Sequence, residues 1–371
     1  MLPSVSWCTP RTALVVLVGA LAACDKESLE KLIPIPILQE TWVIPGDSMT
    51  VGVTHILPTN VAVTGAGTAF AVTIPSPSSF STTLGVLCGQ VICQSSIAVV
   101  APVPAFSTGT NPLTTTVVFP AGVTAATVAS GTLNLSISNS LGFDLLQPSG
   151  GVAPYGSMAI TVTSGASTST TSFTGATRTM ANGVTTLFAV PMPIGAYTGT
   201  IAVSVAFIVP AGANASMQSS NALSVSAAMA GLTLTQATVV VNADPVNTAP
   251  SAFDLESADF AGQVESGALL VNVLNSFTAS ATLSVVIAAP AQNGTGAVSI
   301  TKALNIPATP TSTASINFSR AELQSILGKS GVTMAVNGTA TGTGAGNTVT
   351  VTPTQQITLR TRVQLVLNVG A

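Results

Sequence analysis

The chain has 371 residues and a formal net charge of −3 at pH 7, and only 6% of its residues are charged. Hydrophobic residues make up 47% and aromatic residues 4%, so the apolar content is mainly Ala, Val, Leu and Ile. The sequence has no basic patch to neutralise phosphates, which argues against nucleic-acid binding. A single histidine and mostly isolated carboxylates provide no acid–base pair, so the sequence predicts a protein that is not an enzyme and carries no cofactor.

The first 23 residues follow the order of a secretory signal peptide. Arg11 supplies the positive charge, an apolar run follows from Ala13, and small residues precede Cys24. The segment Leu21-Ala22-Ala23-Cys24 resembles the bacterial lipobox. This resemblance implies a bacterial lipoprotein, in which the peptide is cleaved before Cys24 and a lipid such as palmitate is attached to its thiol. An ordinary signal peptide with a cysteine nearby is the alternative.

Residues 24–40 are predicted to form an extended tether to the folded part, because charges follow Cys24 and both Pro34 and Pro36 exclude a helix. Asp25, next to the lipidated residue, suggests retention in the inner membrane under the sorting rule of enteric bacteria. Other phyla need not follow that rule. The predicted location is therefore the cell envelope, with the choice of membrane, and of a periplasm-facing or cell-surface position, left open.

Cysteine usage predicts one disulfide. Cys8 leaves with the signal peptide and Cys24 carries lipid, so Cys88 and Cys93 remain. An oxidising compartment makes a disulfide the expected state of such a pair, and Gly89 between them suits the tip of a hairpin. Zinc would require two further ligands, and none is near, so no metal is predicted here.

From Thr41 onward the hydrophobic pattern is typical of strands. Met49, Val51, Val53 and His55 alternate with small polar residues, which predicts a strand with one buried face and a half-buried His55 at its end. Similar runs recur between Gly, Pro and Asn turn signals through the rest of the chain. They predict an all-β protein made of tandem antiparallel β-sandwich or barrel-like domains.

One short helix is predicted near the C-terminal end. Ser319 and Glu322 have the spacing of a capping box, which marks the start of a helix. Leu323 and Ile326 then lie on one face, and Gly328 ends the segment.

An internal repeat suggests duplicated β domains. Val128-Ala129-Ser130-Gly131-Thr132-Leu133 leads to Asn139, and Val264-Glu265-Ser266-Gly267-Ala268-Leu269 leads to Asn275, 136 residues later. Both segments are predicted to be strands entered through Ser-Gly, with a buried Leu and an Asn that satisfies backbone groups where the strand ends. The predicted organisation is a signal peptide at 1–23, a tether at 24–40, an N-terminal β region at 41–114, and β repeats at 115–243 and 250–371.

The order of strand, Asn139 or Asn275, short apolar turn and second strand is similar to the repeating unit of the late-embryogenesis-abundant type of β-sandwich. It is more loosely similar to tubular lipid-binding modules. The similarity covers one short segment of each repeat and implies a β-sandwich fold. That family usually has Pro after the Asn, whereas Ser140 and Ser276 stand there in this chain, and no functional residue is carried over.

Acidic residues cluster around the predicted boundary between the repeats, at Asp244, Asp254, Glu256, Asp259 and Glu265. Oxygen ligands of this kind suit calcium, which takes six to eight of them. A solvated linker is the alternative interpretation, and no metal site is assigned.

Two functions are consistent with these patterns. The first is a membrane-anchored, non-enzymatic envelope lipoprotein that binds an apolar ligand or a protein partner. The second is a structural or adhesive surface module that self-associates, because a shortage of charge leaves sheet edges poorly defended against pairing with another chain. A continuous apolar groove in each repeat would favour the first function, and flat sheets with exposed edges would favour the second.

Overall fold

The computed structural model describes residues 38–74, 77–253, 261–292 and 294–369. The predicted signal peptide, Cys24 and most of the predicted tether lie outside these residues. No helix in the described ranges is both long enough and apolar enough to cross a bilayer. The fold is all-β, as predicted, and is built from several antiparallel sheets.

The strands of the N-terminal part are β1 (Leu38–Gly52), β2 (Val61–Val63), β3 (Phe70–Val72), β4 (Ser78–Thr83), β5 (Val99–Pro102) and β6 (Phe106–Ser107). The strands of the middle part are β7 (Leu113–Val118), β8 (Val123–Asn139), β9 (Ser157–Ser164), β10 (Ser167–Thr174), β11 (Val184–Pro191), β12 (Gly195–Thr198), β13 (Thr200–Val209), β14 (Asn214–Met217) and β15 (Ala222–Val240). The strands of the C-terminal part are β16 (Asn242–Asn247), β17 (Ser251–Ala252), β18 (Val264–Asn275), β19 (Ala279–Ala289), β20 (Val298–Ile306), β21 (Thr311–Ser319), β22 (Thr333–Gly342), β23 (Thr348–Val351) and β24 (Gln356–Val369). The helical elements are α1 (Leu84–Cys88), α2 (Arg320–Ile326) and 3-10 turns at Val53–His55 and Val91–Gln94.

The helix predicted near the C-terminal end is α2, and its capping box is confirmed. The Ser319 hydroxyl accepts the Glu322 backbone N–H, and the Glu322 carboxylate accepts the Ser319 backbone N–H at 2.9 Å. Gly328, with φ of 71°, lies just beyond its end. The expectation of a single helix was wrong, because α1 is also present. At five residues, α1 is too short to show helical periodicity in the sequence.

His55 lies beyond the end of its predicted strand. β1 ends at Gly52, and a 3-10 turn follows in which the Ile56 N–H donates to the Val53 carbonyl at 3.0 Å. The turn rotates His55 away from the buried face that Val53 continues, so the histidine is exposed. The prediction of a half-buried His55 was therefore wrong.

Two units of six strands share one topology. In the first unit the sheets are ordered β11-β8-β15 and β10-β9-β13, and in the second they are ordered β21-β18-β24 and β20-β19-β22. Counted from one to six along the chain, the strands of both units pair as 4-1-6 and 3-2-5. A further strand joins strand five in each unit, since β7 pairs with β13 and β16 with β22. The sequence repeat thus corresponds to a duplicated β-sandwich.

Some of the strands outside these two sets of six extend or connect the units. β1 pairs with β24 and extends the second unit, whereas β3 and β4 pair with β15 in the first. β23 comes from the second repeat yet also pairs with β15. The two sandwiches are therefore connected by hydrogen-bonded strands, and the N-terminal strands do not form a sandwich of their own.

The Ser-Gly entry of each repeat makes room for strand six. A Cβ atom at Gly131 would lie 3.1 Å from the side chain of Leu232 in β15. A Cβ atom at Gly267 would lie 2.8 Å from the carbonyl oxygen of Gln364 in β24. Strand one and strand six approach closely at this point in both units, which explains why glycine occurs there twice.

Asn139 joins two loops of the first unit. It is 1% exposed, and its Nδ2 donates to the carbonyl oxygens of Phe143 at 2.8 Å and Met180 at 2.5 Å. Its Oδ1 accepts the backbone N–H of Leu141 at 2.9 Å. Met180 precedes β11, so the side chain connects the end of strand one to the loop between strands three and four.

Asn275 makes the corresponding contacts in the second unit. Its Nδ2 donates to the carbonyl oxygens of Ala279 at 2.9 Å and Pro307 at 3.0 Å, and its Oδ1 accepts the backbone N–H of Phe277 at 2.9 Å. The partners again lie two and four residues ahead, and in the loop between strands three and four. The predicted role of both asparagines at the ends of their strands is confirmed.

We expect Leu133→Ala and Leu269→Ala each to lower the free energy of unfolding by about 2–5 kcal/mol, since both side chains are fully buried. Urea denaturation of each variant would measure the change. Leu187→Ala is the matched control, because Leu187 lies in the same sheet as Leu133 but is 57% exposed. A cost below about 1 kcal/mol at either buried position would contradict an equivalent core role.

Asn139→Ala and Asn275→Ala should each destabilise the protein by about 1–3 kcal/mol, because backbone groups lose partners in a buried site. Thermal and urea unfolding would measure both. Asn317→Ala, at an exposed position of β21, should change the stability little. The two buried substitutions should also have similar effects, and a loss at only one of them would show that the two asparagines are not equivalent.

Candidate functional site

The side chains of Asp144 and Tyr197 form hydrogen bonds that stabilise the fold. The Asp144 carboxylate accepts the backbone N–H groups of Leu146 at 2.8 Å and Met180 at 3.0 Å, which ties together the loops around strand one. Burial raises the pKa of Tyr197 to about 12, and its hydroxyl donates to the Pro193 carbonyl at 2.7 Å. Tyr197 is therefore neutral at physiological pH and is engaged in a structural hydrogen bond.

The ion pairs of the second unit hold α2 in place. Lys302 Nζ lies 2.7 Å from the Glu322 carboxylate. The hydrogen bond from Lys302, followed by the backbone N–H of Ser319, lowers the pKa of Glu322. Arg320 lies 3.5 Å from Glu265. These charges link the helix to neighbouring strands and form no acid–base pair.

The acidic residues at the repeat boundary are only partly described. Asp254, Glu256 and Asp259 lie outside the described residues. Asp244 lies in β16, and Glu265 is occupied by its ion pair with α2. Within the described ranges, no three residues among His, Cys, Asp and Glu come together as metal ligands. Calcium binding at this boundary stays a prediction.

Cys88 and Cys93 are joined in a disulfide, with their Cα atoms 6.1 Å apart. The prediction that they lie at the tip of a hairpin was wrong. Instead they connect the end of α1 to the 3-10 turn Val91–Gln94. Gly89, with φ of 62°, turns the chain directly after the helix. Leu84, at the start of α1, is fully buried and packs the segment against the core.

Three open cavities lie on the surface of the two units. One of about 430 Å³ lies beside Pro290, one of about 360 Å³ beside Pro77, and one of about 480 Å³ beside Arg360 and Arg362. Large apolar side chains fill the sandwich interiors. None of these three cavities forms a continuous apolar groove through a repeat, which is the feature that an apolar ligand would need.

β10 is an edge strand that lacks the usual protection against pairing. Its eight residues, Ser167–Thr174, pair with β9 without a bulge, and β9 is its only strand partner among the described strands. Edges are normally protected by charge, proline or a bulge. β1 has Pro45 and a bulge before Ser48, and β20 has Lys302, whereas β10 has none of these.

The sheet behind this edge is also uncharged. None of its strands, β6, β7, β9, β10 and β13, contains a charged residue. Its outward side chains are mostly small or hydroxyl-bearing, and they bond across strands: the Thr161 and Thr170 hydroxyls lie 2.9 Å apart, and Thr168 donates to Thr163 at 3.3 Å. The run of Ser and Thr between two glycines that forms β10 is visible in the sequence, but its position at a sheet edge is not.

No protein family matches this chain, and no curated protein matches it. A "putative secreted protein" from Parabacteroides distasonis ATCC 8503 shares 12% sequence identity, with 88% of this chain and 99% of that chain covered and a TM-score of 0.34. The STIV MCP shares 11% identity, with 78% of this chain and 97% of that chain covered and a TM-score of 0.16. The N-terminal CBM22-1-CBM22-2 tandem domain of Xyn10C from Paenibacillus barcinonensis shares 8% identity. In this comparison 88% of this chain and 99% of that chain are covered, with a TM-score of 0.15. Scores this low carry no argument about function, and the resemblance to the late-embryogenesis-abundant β-sandwich stays a prediction.

Proposed function

We propose that this chain is a non-enzymatic structural module of the cell envelope, held to a membrane through lipidated Cys24, that self-associates through β10. The observation that carries the proposal is the uncharged edge Ser167–Thr174, which has no proline and no bulge. A second copy of the same strand satisfies the outer N–H and C=O groups of this edge, as strand addition does elsewhere.

The pairing is self-complementary. Two copies of β10 related by a two-fold axis run antiparallel and exchange equivalent hydrogen bonds, which is the symmetry of most homodimers. Eight residues extend over about 27 Å at the usual rise per residue. Since neither copy brings a charge to this sheet, association meets no electrostatic repulsion there.

β7, on the far side of the sheet that contains β10, is an edge without charge or proline, and so is β21. The sheet of β21 differs from that of β10, because Arg360 and Arg362 project from the outer face of β24 in the same sheet. Two copies that met there would hold their guanidinium groups about 24 Å apart, five strand spacings, which is more than a Debye length. β10 differs from β21 in that no strand of its sheet carries a charged residue.

A protein partner is the second candidate function. Four apolar side chains around the disulfide are exposed by 71–88%: Val86, Val91, Ile97 and Val100. Exposed apolar residues that cluster in one segment are typical of contact surfaces. An apolar ligand is less well supported, since the three cavities are open to solvent and the sandwich interiors are filled.

We expect Thr170→Lys to weaken self-association at least about tenfold, because each copy would bring one charge to the paired edge. Native mass spectrometry of the detergent-extracted full chain over a concentration series would measure the dimer fraction. The same spectra would report any bound lipid beyond the anchor.

Ala202→Lys is the matched control for that experiment. Ala202 is exposed on the outer face of the same sheet but lies in β13, an interior strand. The control should leave the dimer fraction unchanged. A wild-type chain that stays monomeric at all concentrations, or equal losses with both lysines, would contradict pairing through β10.

The anchor has its own test. Cys24→Ser should move the protein from the membrane pellet to the soluble fraction, because the thiol that takes the lipid is gone. Fractionation with a carbonate wash and immunoblotting would measure the distribution, with Cys8→Ser as the control that keeps the anchor. A Cys24→Ser protein that still pellets after the wash would contradict the lipobox interpretation.

A further inference from the structure

Two arginines project side by side from the outer face of the second sandwich. Arg360 and Arg362 are exposed on β24, an interior strand of the sheet β1-β24-β18-β21. Thr361 between them is 5% exposed and donates to the Asp47 carbonyl at 2.7 Å, which orients the strand. Alternate residues of a strand are about 6.7 Å apart, so the two guanidinium groups share one patch of surface.

Neither of these two charges forms an ion pair within the described residues, whereas two other cations of this unit do: Lys302 and Arg320 lie 2.7 Å and 3.5 Å from glutamates. The register partners of Arg360 and Arg362 on the two adjoining strands are uncharged. One carboxylate of β1, that of Asp47, lies in the bulge between Pro45 and Ser48. The register places the following residues opposite them: Ser48 and Asn272 beside Arg360, Pro45 and Leu270 beside Arg362.

The fold does not require arginine at these positions, as the first unit shows. Asn272 and Leu270 on strand one correspond, 136 residues earlier, to Ser136 and Asn134. Those two residues pair with Ser226 and Ala228 on strand six of the first unit. Ser and Ala thus occupy in one sandwich the places that the two arginines occupy in the other. Only the second unit carries the charge pair, although the topology is the same.

The arginines border an open cavity of about 480 Å³. Leu270 is among its apolar lining residues, and its polar lining adds the amide of Asn272 and the hydroxyls of Thr313 and Ser315. This volume falls in the range of small-molecule sites. The guanidinium groups supply paired N–H donors with a geometry that matches phosphate and carboxylate oxygens, and the hydroxyls and amide supply further hydrogen bonds.

We infer that this cavity binds a small dianionic ligand, one that carries a phosphate group or two carboxylates. Two like charges held together on an interior strand repel each other, and one dianion converts that repulsion into two attractions. A monoanion compensates only half of the charge. Dianions should therefore bind in strong preference to monoanions.

Isothermal titration calorimetry of the full chain at low ionic strength would test this, with inorganic phosphate, succinate and acetate as the probes. Phosphate, succinate or both should bind at least about tenfold more tightly than acetate. Binding of phosphate alone would identify a phosphate-bearing ligand, and binding of succinate alone a dicarboxylate. The absence of any preference over acetate would overturn the inference.

The double variant Arg360→Gln/Arg362→Gln should lose this binding by at least about tenfold. Arg178→Gln is the matched control, since Arg178 is an exposed arginine on a loop of the first unit. The bound dianion should raise the melting temperature of the wild type and of the control but not that of the double variant. Equal binding by the double variant and the wild type would show that the arginines do not form the site.

The lysine variant Arg360→Lys/Arg362→Lys separates geometry from charge. It keeps both charges but loses the planar donor pairs, so its affinity for the dianion should fall between those of the wild type and the glutamine variant. Affinity equal to that of the glutamine variant would also support recognition by the guanidinium groups. Affinity above that of the wild type would contradict it.

Discussion

Each sheet of this protein buries one apolar face and exposes the opposite face to solvent. The chain has few charged residues to place on that exposed face. Ser and Thr take the place of charged residues on the outer faces, and their hydroxyls bond to one another across strands, as Ser138 and Thr185 do. A sheet with one apolar face is stable only when that face is covered, so the sheets combine into sandwiches with a shared core. The surface that results is polar but largely neutral.

In each duplicated unit, the backbone groups of two loops must find hydrogen-bond partners where strand one ends, and one Asn side chain supplies them. Asn139 and Asn275 each receive a backbone N–H two residues ahead and donate to a carbonyl four residues ahead and to one in a distant loop. A buried amide satisfied in this way fixes the end of strand one relative to strand four, which enters the same sheet. Together with the close approach of strands one and six at Gly131 and Gly267, it defines the three-stranded sheet 4-1-6 in both units.

The two units have the same topology and different surfaces. In the first unit, no strand of either sheet carries a charged residue. The second unit has ion pairs around α2 and two neighbouring exposed arginines on the outer face of β24. A neutral edge suits contact with a second copy, and a positive patch suits an anion. The duplication thus provides two surfaces on one scaffold, which supports the two roles proposed for them.

The sequence by itself determined the properties that depend on local pattern. Alternation of apolar and polar residues indicated strands, the Ser319 and Glu322 spacing indicated the capped helix, and the Ser-Gly and Asn matches indicated the duplication. Each of these patterns is contained in a short stretch of sequence. Burial of Leu133 and Leu269 follows from the same alternation. The predicted signal peptide and lipid anchor also rest on local sequence, at residues outside those that the structure describes.

Only the tertiary structure decided which strands meet. Pairing of β1 with β24 joins residues more than 300 positions apart, and no local pattern records that partner. His55 turned outward, and the disulfide followed a helix instead of a hairpin, because buried contacts overrode the local signals at these places. The exposed edge of β10 and the uncharged register partners of Arg360 and Arg362 are likewise properties of neighbours in space. They could be recognised only after long-range pairing had placed each strand within its sheet.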